Sequence, residues 1–227
     1  TPNLGEMTGT SYLVVEPSFD AQELALAIKR NWWPLLHMKS EEVRISVVDE
    51  DGEEISLDPT SEEPLVPFIR CLDIASGNTE AIKISELRKE LPGVAHKGQY
   101  KVYKEVPIGT LACTSDTRPD GWSFRTEGNN ANVFCLVRGE MVIAYVRYPA
   151  VQGARPPFVR GTFYVDPTPR KNDIAAKILR LTEPHLHDEW RTKPDGAVSA
   201  EDADFAEKVM KRVRSGVSEF QIGRAHV

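Results

Sequence analysis

The sequence predicts an α+β protein in which an antiparallel sheet of about five strands packs with helices, preceded by a smaller strand-helix-hairpin lobe. Three observations predict it. From residue 100 onward, short runs of alternating apolar residues are separated by turn signals, as in an antiparallel sheet with one face buried. Helical spacing of apolar residues, with start signals, appears around residues 20–33, 172–182 and 199–217. Asp51-Gly52 sits between two short β-prone runs, a strong hairpin signal. A chain of 227 residues can form one large domain or two small ones, with a core that needs no disulfide or metal.

In chain order, residues 10–16 (TSYLVVE) are apolar and β-branched and predict a strand. The helix that follows has Asp20 as N-cap, Glu23 as its capping-box partner, and Phe19 and Leu24 placed as a hydrophobic staple. Leu24, Ile28 and Trp32 recur at four-residue spacing and predict the buried face, and Pro34 predicts the end of the regular helix. Val43–Val48 and Glu54–Leu57 are the arms of the hairpin. Residues 58–64 (DPTSEEP) are a polar connector, and Pro64–Ala75 reads as a short helix interrupted at Pro67. Residues 76–99 fit neither period.

Lys101–Glu105, Gly109–Thr114, Val133–Val137, Met141–Arg147 and Phe158–Val165 then predict a five-stranded meander. Its turns fall at Asp120-Gly121, Gly128-Asn129-Asn130 and Arg138-Gly139. Asn172–Thr182 predicts a helix. The last helix starts at Ser199, carries Asp202 at its third position, and stacks Phe205, Val209, Val213 and Val217 on one stripe. The domain reading is a lobe over residues 8–58, a larger α+β domain over 59–195 and a C-terminal helix over 196–220. Ile222–Val227 resembles the in-frame product of a sequencing-library adapter, so native sequence is expected to end near Phe220 and His226 is set aside.

Hydrophobic residues at 41% and charged residues at 27% are ordinary globular values. No apolar run approaches the roughly 18–20 residues of a membrane span and no signal-peptide pattern opens the chain, so a cytoplasmic protein with no membrane partner is expected. Cys71, Cys113 and Cys135 lie in apolar contexts with no Cys-x-x-Cys spacing and read as reduced, buried thiols. The net charge of −6 is uneven: residues 1–64 hold 14 acidic and 4 basic side chains, the rest 20 and 24. That balance argues against a general phosphate-backbone binder, so nucleic acid is not indicated as a partner.

The densest chemistry is Glu183-Pro184-His185-Leu186-His187-Asp188-Glu189-Trp190. His185, His187 and Asp188 could hold a metal for a metal-dependent hydrolase, with His37 or His96 as upstream ligands. The competing and favoured reading is a helix-terminating turn in which an imidazole bonds the backbone. Trp32-Trp33 could form a ligand platform, but core packing is the simpler reading. Lys97, Lys101 and Lys104 flank a strand as solvated edge charges. Phosphate-cradling loops and a serine-esterase elbow are absent from the sequence.

Gly9-Thr10-Ser11 before an apolar strand, Asn31-Trp32-Trp33-Pro34, Arg138-Gly139-Glu140-Met141-Val142-Ile143, Phe158-Val159-Arg160-Gly161 and Glu183-Pro184-x-x-His187-Asp188-x-Trp190 occur in that order. Over residues 8–195 the chain resembles the segment that follows the nucleotide-binding domain in prokaryotic ATP-binding proteins of the GHKL superfamily, which includes gyrase, histidine kinases and MutL. The resemblance implies that Gly9 and Thr10 mark the exit of an ATP lid, and that an ATPase domain lies upstream in cis. It makes the 59–195 unit a transducer-like domain. ATP and Mg2+ would belong to the parent ATPase, with no cofactor and no catalysis in this stretch alone. Lys101 and Lys104 would be phosphate contacts, and Arg138, Gly139, Met141, His187, Asp188 and Trp190 a structural motif. A homodimer and a plain protein-interaction module are the further expectations.

Overall fold

In the computed structural model the chain is described over residues 19–38, 43–78, 86–91, 108–117, 131–149, 158–166, 169–184, 189–194 and 196–225. The first helix, α1 (Ala21–Met38), opens on the capping box its sequence encodes: Glu23 N–H donates to Asp20 Oδ1 at 2.7 Å and Asp20 N–H to Glu23 Oε2 at 3.2 Å. Pro34 does not end it. A proline at that position deprives the carbonyl four residues back of its helical donor, and here the Tyr145 hydroxyl donates to that carbonyl, Arg30 O, at 2.7 Å. The same hydroxyl accepts from the Trp33 indole at 2.9 Å. This anchor sets the helix's rotation, so the buried residues are Ala25, Trp33, Pro34 and Leu35, whereas Leu24 and Trp32 of the expected face are 37% and 40% exposed. Tyr145→Phe should therefore cost about 1–3 kcal/mol in a urea melt, because one atom serves both the indole and the proline-orphaned carbonyl.

The hairpin is shorter than expected, with β1 (Val47–Val48) against β2 (Glu54–Ile55). Asp49 Oδ1 accepts from Asp51 N–H at 3.0 Å and Glu53 N–H at 2.9 Å, and Gly52 sits at φ 85°. Two 3-10 turns, Pro59–Ser61 and Glu63–Leu65, lead into α2 (Val66–Ser76). Pro67 lies in its first turn, where no intrahelical donor is needed, so it starts the helix and does not interrupt it. Gly77 closes α2 in the left-handed conformation at φ 87°.

The main sheet holds β3 (Leu87–Leu91), β4 (Gly109–Asp116), β5 (Ala131–Arg138), β6 (Met141–Pro149) and β7 (Phe158–Val165) in the order β3-β4-β7-β5-β6. It is mixed, neither a meander nor wholly antiparallel: β7 inserts between β4 and β5 and pairs parallel with β5, Val133 opposite Arg160. The reason is burial. All eight residues of β7 are buried, on both faces, as befits a central strand, whereas a meander would leave this last strand at an edge. β3 comes from the stretch that fits neither period. The expected strands at 10–16 and 101–105 lie outside the described residues.

Helices cover both faces. On one, α1 and α2 bury Trp33, Phe68, Leu72, Cys135, Val137 and Tyr164 together, so the helix of the first lobe shares a core with the sheet. On the other, α3 (Pro169–Thr182) and α4 (Ala200–Ala225) enclose Leu111, Phe134, Phe163, Ile178 and Trp190. Ser199 caps α4, its hydroxyl accepting Asp202 N–H at 3.0 Å and donating to Asp202 Oδ2 at 2.8 Å. Phe205, Val209, Val213 and Val217 form the buried stripe their spacing predicts. A methyl group at Gly216 would stand 2.7 Å from Leu111, which shows how closely this helix approaches β4. The helix runs on through Ile222 to Ala225, into the residues resembling adapter product.

Candidate functional site

Of the residues singled out from sequence, Gly9, Thr10, Lys101, Lys104, His185, His187 and Asp188 lie outside the described residues. Arg138, Gly139, Met141 and Trp190 are described, and the structure gathers Arg138 and Trp190 around a carboxylate, Glu183. β5 ends at Arg138 and reverses through Gly139-Glu140, where Gly139 takes φ 60°. Gly139 N–H donates to Val165 O at 3.0 Å, tying this turn to the end of β7. Glu183 follows the last residue of α3, and its side chain has no exposure. Arg138 clamps it bidentately, Nε to Oε1 at 2.7 Å and Nη2 to Oε2 at 2.9 Å, and the Trp190 indole donates to Oε1 at 3.0 Å.

Packing holds the corner as firmly as charge does. The Trp190 ring meets Phe163 of β7 edge-on, centroids 5.9 Å apart and planes at 84°. Arg191 N–H returns to Thr182 O at 2.9 Å, closing the exit of α3 on itself. Met141, one residue past the turn, packs against the same core. The Glu183 carboxylate thus receives three N–H donors while its own side chain is fully buried. A group so engaged serves as a joint between β5, β7 and α3. Sequence reading named Arg138 and Trp190 without Glu183 as their link. The usable signal was that a part-buried Arg and a buried Trp each need an acceptor, and the segment holding Trp190 begins with Glu183.

Other polar pairs, some buried and some part-buried, are arranged as supports. Arg70 engages Glu86 through Nε and Nη2, and Arg160, 3% exposed, pairs with Asp116 at 3.9 Å. His37 Nε2 meets Asp73 Oδ1 at 2.8 Å and links α1 to α2. Among the described residues, no group of three or more His, Cys, Asp and Glu side chains is placed to hold a metal, and no helix is long and apolar enough to cross a membrane.

Cys71, Cys113 and Cys135 are free and buried, and burial pushes each thiol well above its ordinary range. Burial, followed by the charges of Asp166 and Glu140, raises the Tyr164 phenol to about 12, and burial also raises Tyr145 and Tyr148. These groups ionise more easily unfolded than folded, so the stability they confer is complete below their unfolded values and is lost as pH rises through the folded ones. Urea midpoints should hold steady to about pH 8 and fall progressively above about pH 9. A colourless disulfide reagent should titrate three thiols in denaturant and almost none in the native protein.

No family model, no curated protein and no solved structure matches the chain.

Proposed function

We propose that this chain is the non-catalytic transducer portion of a GHKL-type ATP-binding protein of the cytoplasm, relaying the nucleotide state of an upstream ATPase domain toward its C-terminal helix. The observation that carries this reading is the Arg138–Glu183–Trp190 corner. A relay needs elements that move as one, and here a saturated ionic joint couples the β5–β6 turn, the end of β7 and the exit of α3 ahead of the long α4. The resemblance carried by the motif order gives the relay its input. The mixed α+β sheet covered by helices is compatible with it but is shared by many unrelated functions.

The chain alone should show no micromolar affinity for Mg-ATP in isothermal titration calorimetry, since the reading assigns the phosphate-binding groups to the upstream domain. Micromolar binding would sink it. Extended by its upstream sequence, the protein should bind ATP, and nucleotide should change amide exchange at residues 138–141 and 183–191. An upstream frame without an Asn-bearing helix and an Asp-x-Gly-x-Gly loop would remove the basis of the proposal.

A further inference from the structure

We propose that α1 is the input arm of the Arg138–Glu183–Trp190 corner: its proline-bearing end seats on the β5–β6 turn from one face of the sheet, the corner grips the same turn from the other face, and displacing α1 opens the exit of α3. This deepens the transducer reading and rests on it for the direction of the signal. On the α1 face, Leu35 N–H, in the residue after Pro34, donates to Glu140 O at 3.1 Å. One turn earlier Arg30 O accepts from the Tyr145 hydroxyl at 2.7 Å, and that hydroxyl accepts the Trp33 indole N–H at 2.9 Å. The buried Trp33 shares a core with Val137 and Val142, which stand opposite each other just before the turn. The end of α1 therefore holds the turn by a backbone bond and the strands beside it by a buried ring.

The opposite face is served by the residues on either side of the same turn. Arg138 sends its guanidinium to Glu183, and Met141, paired with Arg138 across the turn, packs into the core that α3 and α4 cover. Between them Gly139 N–H is bonded to Val165 O at 3.0 Å. Gly139 is thus a fulcrum, with the Glu140 carbonyl held by α1 on one side and the Arg138 side chain held by Glu183 on the other. The pairing register shifts between Leu136 and Val137, so that Leu136 stands opposite Ala144 and Val137 opposite Val142. Such an irregularity weakens the ladder locally and re-aims the side chains next to it, here at the base of the turn.

Small movements suffice to carry a signal across this fulcrum. An N–H···O bond is lost as its heavy atoms part beyond about 3.2 Å or its angle falls toward about 120°. The Arg138–Glu183 fork, with bonds of 2.7 and 2.9 Å, needs both nitrogens aligned at once, so a shift of about 0.5 Å at Arg138 breaks at least one of them. Glu183 Oε1 also holds the Trp190 indole, and Arg191 N–H next to it holds Thr182 O, so loosening the fork reaches the exit of α3 directly. The path runs through bonded neighbours at every step, and an indole N–H lies at each end of it: Trp33 on Tyr145 and Trp190 on Glu183.

Those two indole protons make the test. Their hydrogen exchange is read by nuclear magnetic resonance on the isotope-labelled full chain, the signals being identified from Trp33→Phe and Trp190→Phe spectra. Tyr145→Phe should quicken exchange at the Trp190 indole by about fivefold or more, relative to the buried α4 amide of Val213, and should shift the Gly139 amide resonance. Because coupling is reciprocal, Glu183→Gln should quicken the Trp33 indole by a similar factor. Lys29→Ala removes an α1 ion pair to Glu62, away from the turn, and should leave Trp190 unchanged. If Tyr145→Phe fails to fold, Trp33→Phe replaces it, since it keeps an aromatic ring and removes the N–H that the same hydroxyl accepts. A Trp190 indole that does not respond overturns the proposal, as does a response with Gly139 unmoved, which would place the path elsewhere. An equal response to Lys29→Ala also overturns it, by reducing the effect to a general loosening of α1. The measurement uses no nucleotide, so its failure is distinct from failure of the transducer reading, which is decided by ATP binding to the extended protein.

Discussion

Glu183→Leu is expected to destabilise the protein by about 3 kcal/mol, the lower end of the range for removing one partner of a buried ion pair. The substitution keeps side-chain bulk but strands the Arg138 guanidinium, which retains 19% exposure and so keeps part of its hydration. It also leaves the Trp190 indole N–H without its acceptor. The stronger test is the pair. Arg138→Met together with Glu183→Leu removes both charges and should recover much of the loss, because an apolar pair of similar volume avoids the desolvation that the ionic one carries. Urea melts of the two single variants and the double variant measure this directly. A single Glu183→Leu within about 0.5 kcal/mol of wild type, the range of ordinary surface substitutions, would show that the carboxylate is not the joint.

How much of this was legible in the sequence depends on whether the deciding contact is local. The capping box at Asp20 and Glu23, the Asp51-Gly52 turn and the α4 stripe depend on residues within a few positions of one another, and all three are present in the structure. The continuation of α1 through Pro34 was not legible, because the group that satisfies Arg30 O comes from Tyr145 on a strand more than a hundred residues away. The choice between Trp32 and Trp33 failed for the same reason: four-residue spacing defines a face only to within one residue, and the Tyr145 hydroxyl broke the tie in favour of Trp33.

Strand order was hidden at another level. The period of β7 identifies a strand, but its insertion between β4 and β5 follows from its burial on both faces, which competition among five strands decides. The full apolar run Phe158-Val159 to Phe163-Tyr164-Val165, broken by Arg160, Gly161 and Thr162, was the trace of that position. At the candidate site, Glu183 was read only as one carboxylate of the Glu183–Trp190 cluster, and its link to Arg138 escaped because that partner lies on a strand 45 residues away.

Trp190→Ala is expected to cost about 3–5 kcal/mol, the range for deleting a large aromatic side chain from a core. Trp190 is 4% exposed, its ring stands edge-on to Phe163, and its N–H holds Glu183, so alanine removes packing, an aromatic pair and a hydrogen bond together. Trp190→Phe separates these parts. It keeps most of the apolar contact and loses the N–H, and should cost about 1–2 kcal/mol. Because Trp190 and Glu183 share one bond, the Trp190→Phe and Glu183→Leu effects should fall short of additive by about 0.5 kcal/mol or more. Amide exchange should meanwhile quicken at the exit of α3 and the start of the segment leading to α4, where Arg191 N–H bonds Thr182 O. The same melts with a chelator test the competing chemistry, since a metal held by His185, His187 and Asp188 would make stability fall on chelation and His185→Ala would reproduce that fall. A chelator-sensitive melt with stoichiometric zinc would overturn the packed corner in favour of the hydrolase; a melt indifferent to chelator, with the full loss on Trp190→Ala, assigns the segment's stability to the indole and the carboxylate it holds.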